Sequence, residues 1–199
     1  NLEINELYNR AMTDTSALSS AAFLAAYSFN NNKLIVDVGG GEGYLLSMIL
    51  KKYKQLNGIV FDLPHVVKAA GQNFKKFGVG DRANAVEGDF FNAVPSGGDV
   101  YIMKNILHAF DNEVCINLLE SIGKAMERGT KLLIMETVIE KNNKPAYGKM
   151  FDLQMLIGTD GGKERTQKEF EAILKSSGFT MKKVISTVSP FSIVEAIKQ

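Results

Sequence analysis

The chain has 199 residues, 23 lysines and arginines against 22 acidic residues, 45% hydrophobic residues, one cysteine and no tryptophan. This length suits one domain, or one domain with a small appendage, and the apolar fraction is enough for a packed core. A net charge of +1 excludes binding of nucleic acid or an anionic membrane by bulk electrostatics, a lone Cys115 excludes an intrachain disulfide and any multi-cysteine zinc or iron–sulfur site, and no apolar run approaches the roughly 18 residues that span a bilayer.

The opening segment NLEINELYNRAM has no basic stretch followed by an apolar one, so it is not a signal peptide. It also lacks an initiator Met, so a processed chain or a piece of a longer protein is expected, with a cytoplasmic location. Residues 1–30 read as helix, with Leu2, Ile4, Leu7, Met12, Leu18, Phe23, Leu24 and Tyr27 at roughly helical spacing. They are expected to pack on the core and cap a site formed by residues 31–199. Asn30, Asn31 and Asn32 break the pattern.

Strands and helices then alternate. LIVDV (34–38) is a strand with no polar alternation beyond Asp37, as expected when both faces are covered. A helix follows over 43–53, a strand over 58–63, a helix over 65–77 and a short strand over 84–89. The apolar run 99–107 predicts a fourth strand. Asp111 is placed to cap a helix to about Glu127, and 131–139 predicts a fifth strand. A helix near 148–158 and the loop TDGGKERT come next. Thr166 with Glu169 forms a capping box for a helix to about Ser177. FTMKKVIS (179–186) and FSIVEAIK (191–198) read as a terminal β-hairpin. Five alternating strands plus the hairpin imply an α/β fold: a doubly wound, mostly parallel seven-stranded sheet. In such sheets ligands sit beyond the carboxyl ends of the strands, at the switch point.

The residues just after strands one, two, four and five should therefore converge on one crevice. The turn Gly39-Gly40-Gly41-Glu42-Gly43 follows strand one and lets backbone approach a ligand closely. It is not a dinucleotide fingerprint, because Tyr44 or Leu46 stands where the third glycine belongs, and it has no phosphate-binding Lys-Ser/Thr pair. Glu42 would repel a pyrophosphate, so the loop suits a nucleoside without phosphates. Asp62 ends strand two, where an acid accepts hydrogen bonds from ribose hydroxyls. Asp89 and Phe90 end strand three, a carboxylate for an adenine amine and a ring to cover it. His108 follows strand four, a neutral imidazole in the crevice and hence a candidate general base. Glu136 interrupts the buried run of strand five, and Glu164 lies in the GGKERT loop. A carboxylate on the far ring nitrogen fixes the tautomer and stabilises the imidazolium.

These residues resemble a known family. AMTDTS (11–16), LIVDVGGGEG (34–43), GIVFDLPHVV (58–67), EGDFF (87–91), MKNILHAFDNE (103–113), ETVI (136–139) and GGKERTQKEF (161–170) are similar to the catalytic domain of S-adenosylmethionine-dependent O-methyltransferases of the caffeic acid, isoflavone and hydroxyindole type. The resemblance implies a Rossmann-like methyltransferase sheet and S-adenosylmethionine as cofactor, with S-adenosylhomocysteine as product and no metal. It implies that Gly39 and Gly41 bind near the methionine part, Asp62 and Leu63 hold the ribose, and Asp89 and Phe90 hold the adenine. Lys104 would help fix the cofactor, and Ser16 would reach it from the N-terminal helices. His108 would be the base, flanked by Glu136 and Glu164, and Met12, Met103, Met150 and Met155 would line the acceptor pocket.

Two departures are visible. His108-Ala109-Phe110 stands where the family often has His-Asp-Trp, so a carboxylate beside the base is missing. The family's helical N-terminal domain, which dimerises and closes the acceptor pocket, is also absent, so a homodimer is expected only with that segment present. The expected function is O-methylation of a small aromatic hydroxyl compound. The alternatives are a non-catalytic cofactor-binding assembly domain and, less favoured for want of the third glycine, a nicotinamide-dependent oxidoreductase. The acceptor is not named by the sequence, and transfer to nitrogen or carbon would use the same cofactor site.

Overall fold

The computed structural model describes residues 18–199, so Met12 and Ser16 lie outside the described residues. A helix over 18–26, α1, enters a seven-stranded sheet of order β3-β2-β1-β4-β5-β9-β8. The strands are β1 (Leu34–Val38), β2 (Asn57–Asp62), β3 (Ala83–Glu87), β4 (Val100–Lys104), β5 (Lys131–Glu136), β8 (Phe179–Ser186) and β9 (Ser192–Lys198). β1 to β5 pair in parallel, and β9 runs antiparallel between β5 and β8. The mostly parallel sheet and the closing hairpin are as predicted. The helices are α2 (Tyr44–Lys52), α3 (Pro64–Val67), α4 (Ala70–Phe77), α5 (Asn112–Ala125), α6 (Tyr147–Gly158) and α7 (Gln167–Ser176). Among the described residues no helix is long and apolar enough to cross a membrane.

Side chains alternate across a strand with period two, and this divides the interior into two cores. Ile35, Val60, Ile102 and Leu133 face one way and pack with Leu46, Ile49 and Phe74 of α2 and α4. Val36, Phe61, Met103 and Ile134 face the other way and pack with Leu118, Ile122 and Phe170 of α5 and α7. Residues 18–30 form no separate layer, since Phe23, Leu24, Tyr27 and Phe29 belong to the first of these cores.

Two predicted strands end earlier than their apolar runs, and one predicted helix is divided. The strand expected over 99–107 stops at Lys104. Asn105 takes a left-handed φ of 56°, and a short 3-10 turn, Leu107–Ala109, follows. The strand expected over 131–139 stops at Glu136. Val138–Ile139 (β6) leaves the main sheet and pairs in parallel with Arg165–Thr166 (β7). The helix expected over 65–77 is divided at Lys68 and Ala69. Both keep right-handed backbone angles, so the break is a loosened turn and not a reversal. The end signals held where they were local. Asp111 accepts from the Val114 amide at 2.9 Å, and the Thr166–Glu169 capping box is formed in both directions.

Candidate active site

β1 is flanked by β2, to which α2 returns, and by β4 on its other side. The chain therefore diverges at the carboxyl end of β1, and a crevice opens there. Gly39 and Gly41 have φ values of 68° and 61°, a region that costs a side chain strain and glycine little. The Gly41 amide donates to Asp62 Oδ2 at 2.8 Å, and the Leu63 amide donates to Asp62 Oδ1 at 2.7 Å. Asp62 thus ties the end of β2 to the glycine turn, and each oxygen keeps a lone pair for a ligand hydroxyl. A Cβ on Gly41 would meet no atom within 4 Å, so this turn faces open space. One on Gly39 would stand 2.5 Å from Ile106 and 3.6 Å from Phe90. Phe90 and the turn after β4 therefore close on the glycine loop. Phe91 joins Phe90 and Phe110 in an aromatic group, with ring centroids 4.9 and 5.5 Å away. Asp89 accepts from the Phe91 amide at 2.9 Å.

Asp37 lies beneath the turn. It follows Ile35 by two residues, so it faces the α2 side, and Lys104 sits two residues beyond its β4 partner Ile102 on the same face. Neither Asp37 oxygen has a hydrogen-bond partner among the described residues. Burial pushes this carboxyl up to about 7, with Lys104 opposing and Asp62 reinforcing. Burial pulls Lys104 down to about 8, with Asp37 opposing.

His108 stands on the other side of the crevice, on the 3-10 turn. Its Nδ1 is 3.2 Å from Glu164 Oε1 and 3.3 Å from Glu136 Oε2. Glu136 is 0% exposed and Glu164 3%. The other oxygen of Glu136 accepts the Ile106 and Leu107 amides, each at 2.8 Å. That pair of bonds explains why β4 stops, since the carboxylate replaces the sheet ladder as acceptor and curls the chain into a turn. Nδ1 facing two carboxyl groups is the donor, which leaves Nε2 as the acceptor nitrogen. Burial lowers the imidazole's proton affinity, but the hydrogen bond it donates to Glu164 and the charges of both carboxyl groups outweigh it and raise the value. Burial likewise raises Glu136, with His108 opposing. The donor atoms of the three side chains lie within 4.8 Å of one another, a spacing a cation could use and one the Nδ1–H hydrogen bonding accounts for without it.

The GGKERT segment brings Glu164 here by three contacts that the sequence reading missed. The Glu164 amide donates to Asp152 Oδ1 of α6 at 2.9 Å. Gly162 packs directly on the His108 turn. Arg165, 1% exposed, donates to the carbonyls of Leu107 and Phe110. The signal that singled out Glu136, a charge interrupting a buried apolar run, applied equally to Asp37.

The expected acceptor-lining methionines scatter. Met103 is 0% exposed and packs in the core shared with α5. Met155 is half-buried on α6 and Met150 is 71% exposed there. The glycine loop, Asp62, Leu63, Asp89, Phe90 and Lys104 all lie at or beyond the carboxyl ends of β1 to β4. These groups suit a nucleoside-bearing ligand: two carboxylates to accept from hydroxyl and amine groups, aromatic rings for a base, and Glu42, Asp62 and Asp89 to disfavour phosphates.

Comparison with known proteins agrees with this fold. A phenazine O-methyltransferase of Lysobacter antibioticus, PhzM, is 42% identical over 194 residues, which cover 98% of this chain and 57% of that protein. The crystal structure of LaPhzM superposes with a TM-score of 0.94 at 41% identity, covering 100% of this chain and 60% of that one. The O-methyltransferase NcsB1, solved with S-adenosylmethionine and 2-hydroxy-5-methyl naphthoic acid, has a TM-score of 0.86 at 30% identity, covering 96% and 57%. The chain thus spans little more than half the length of these relatives. Matched over residues 1–180, it belongs to the O-methyltransferase domain family.

Proposed function

We propose that this chain is the cofactor-binding and base-carrying part of an S-adenosylmethionine-dependent O-methyltransferase acting on a small aromatic hydroxyl compound. The observation that carries the reading is His108, its Nδ1 between Glu136 and Glu164, on a turn that packs against the glycine loop through Ile106. The phenazine name of the Lysobacter relative and the naphthoic acid bound to NcsB1 support a flat aromatic acceptor.

In this reading Gly39 and Gly41 border the methionine part of the cofactor, Asp62 and Leu63 the ribose, and Asp89 and Phe90 the adenine. Lys104 helps fix the cofactor, and Ser16 reaches it from the N-terminal side. Met12, Met150 and Met155 line the acceptor pocket with flexible thioethers that adapt to a ring. When bound, S-adenosylmethionine would supply an electrophilic methyl group on its sulfonium. His108 Nε2 takes the hydroxyl proton, and Glu136 and Glu164 stabilise the imidazolium that results. Proton removal contributes typically about 10²–10⁴-fold, and positioning of the two reactants supplies most of the rest.

Calorimetric titration with S-adenosylhomocysteine, with NAD as control, tests the cofactor. Transfer of labelled methyl groups to hydroxyphenazines and hydroxynaphthoates tests the reaction. His108→Gln is expected to bind cofactor normally and to lose turnover by about 10²-fold or more. Unchanged turnover would remove His108 as the base. Tighter binding of NAD would favour an oxidoreductase, and cofactor binding without transfer to any phenol would favour an assembly domain.

A further inference from the structure

Arg165 has no part in the chemistry just described, yet it is among the largest fully buried side chains. Its guanidinium forms four hydrogen bonds. Nη1 donates to Leu107 O at 2.8 Å and Lys163 O at 3.3 Å, Nη2 to Phe110 O at 2.7 Å and Nε to Asn112 Oδ1 at 3.0 Å. Leu107 and Phe110 bracket His108. All four acceptors are neutral, and none of the ion pairs among the described residues includes Arg165. A guanidinium stays charged when buried, and burying it without a direct counterion is costly. Satisfying backbone carbonyls alone would need only a neutral donor.

The buried carboxyl groups beside it give the charge a purpose. Glu136 reaches the imidazole from the end of β5, and Glu164 from the loop entering β7. Asp152 of α6 holds the Glu164 amide, and Lys163 is drawn away to Glu169 at 2.9 Å. Arg165 is therefore the buried cation clamped on the turn that carries His108. We propose that Arg165 is the positioning residue of the base, clamping the 107–110 turn so that His108 is aimed into the crevice and offsetting the two carboxyl groups that surround its ring. The inference rests on His108 acting as base. Glu136 and Glu164 alone would hold a proton on the imidazole, and a base must be free to accept one. The opposing influence of Arg165 on the imidazole's proton affinity agrees with this role.

The test uses the chain's two histidines. His108 is titrated by NMR, with His65, exposed on α3, as internal reference, in the wild type, Arg165→Met and Arg165→Lys. In Arg165→Met the His108 midpoint is expected to rise by roughly half a pH unit or more, and the acid limb of kcat/KM to rise with it. Turnover should fall on the order of 10- to 100-fold with cofactor affinity kept. Arg165→Lys restores the charge but not the fork, so the midpoint should return while turnover stays depressed. A folded Arg165→Met with an unmoved His108 midpoint overturns the proposal. So does wild-type turnover in Arg165→Lys, or failure of both variants to fold, which would make Arg165 a structural residue. If the Met variant alone fails to fold, depressed turnover with an unmoved midpoint in Arg165→Lys upholds it. A wild type that transfers no methyl group would end the base reading, while the His108 titration would still decide what Arg165 does to the ring.

Discussion

Gly162 and His108 are in van der Waals opposition: a Cβ on Gly162 would stand 2.5 Å from the His108 carbonyl oxygen and 2.9 Å from the carbonyl carbon of Ala109. The Thr159 hydroxyl crowds the same position and could rotate away, but these backbone atoms cannot swing aside as a side chain can. Gly162→Ala must therefore push the GGKERT loop away from the turn, and with it Glu164 away from Nδ1. The expected cost is about 1–3 kcal/mol of stability, together with a loss of turnover larger than the loss of cofactor affinity. Urea unfolding and a kcat-against-Kd comparison check this, and wild-type values of both would show that the loop is free to shift.

Glu164 raises the proton affinity of His108 by its hydrogen bond and its charge. Glu164→Gln should lower it, and since the base acts deprotonated, the acid limb of kcat/KM should move to lower pH. Turnover on the plateau should still fall, by about tenfold or more, because the imidazolium formed in the reaction loses a partner. A limb that moves to higher pH would contradict the assignment.

The Asp37 carboxyl is pushed up to about 7 from an ordinary 3.8. The folded chain thus holds a proton that the unfolded chain has released, and stability falls as pH rises from about 4 to about 7. In the cofactor-free chain, Asp37→Asn should be more stable than wild type above pH about 7, by roughly 1–3 kcal/mol, and nearly equal to it near pH 4. Denaturant unfolding at the two pH values decides it, and a pH-independent difference would mean that Asp37 is not titrating there.

Tyr27 anchors the segment after α1 to the sheet. Its hydroxyl donates to buried Glu195 Oε2 of β9 at 2.7 Å, and Lys131 Nζ of β5 lies 3.4 Å from that hydroxyl and 3.9 Å from Glu195 Oε2. Burial and Glu195 both raise the tyrosine's proton affinity, so the hydroxyl remains a donor. Tyr27→Phe leaves a buried carboxylate oxygen short of a partner and should cost about 1–3 kcal/mol. The double variant with Glu195→Gln should cost less than the sum of the single changes. Additive losses would show that the two residues are not coupled.

Local signals carried most of the fold. The apolar runs of β1 and β5, the Asp111 cap and the Thr166–Glu169 box each involve residues within a few positions, and a short segment suffices to satisfy them. The same is true of the glycine turn, whose positive φ values need only the absence of a Cβ. The rule that ligands sit beyond the carboxyl ends of a doubly wound sheet added the expected convergence of the strand-end residues, among them Asp62, His108 and Glu136, and the family motifs agreed with it.

Tertiary contact decided the rest. Nothing in the run 99–107 says that it breaks at Asn105, because the acceptor that curls it, Glu136, lies 30 residues away. Nothing near Val138 says that it leaves the sheet to pair with Arg165. Strand parity, which follows from how β4 sits in the sheet, places Met103 in the core shared with α5. Nothing near Arg165 in the sequence says that it is buried, because its hydrogen bonds close on a turn 55 positions earlier. In each case the energy that fixes the conformation comes from a hydrogen bond or packing contact whose partner is distant in sequence, so chain order alone cannot specify it.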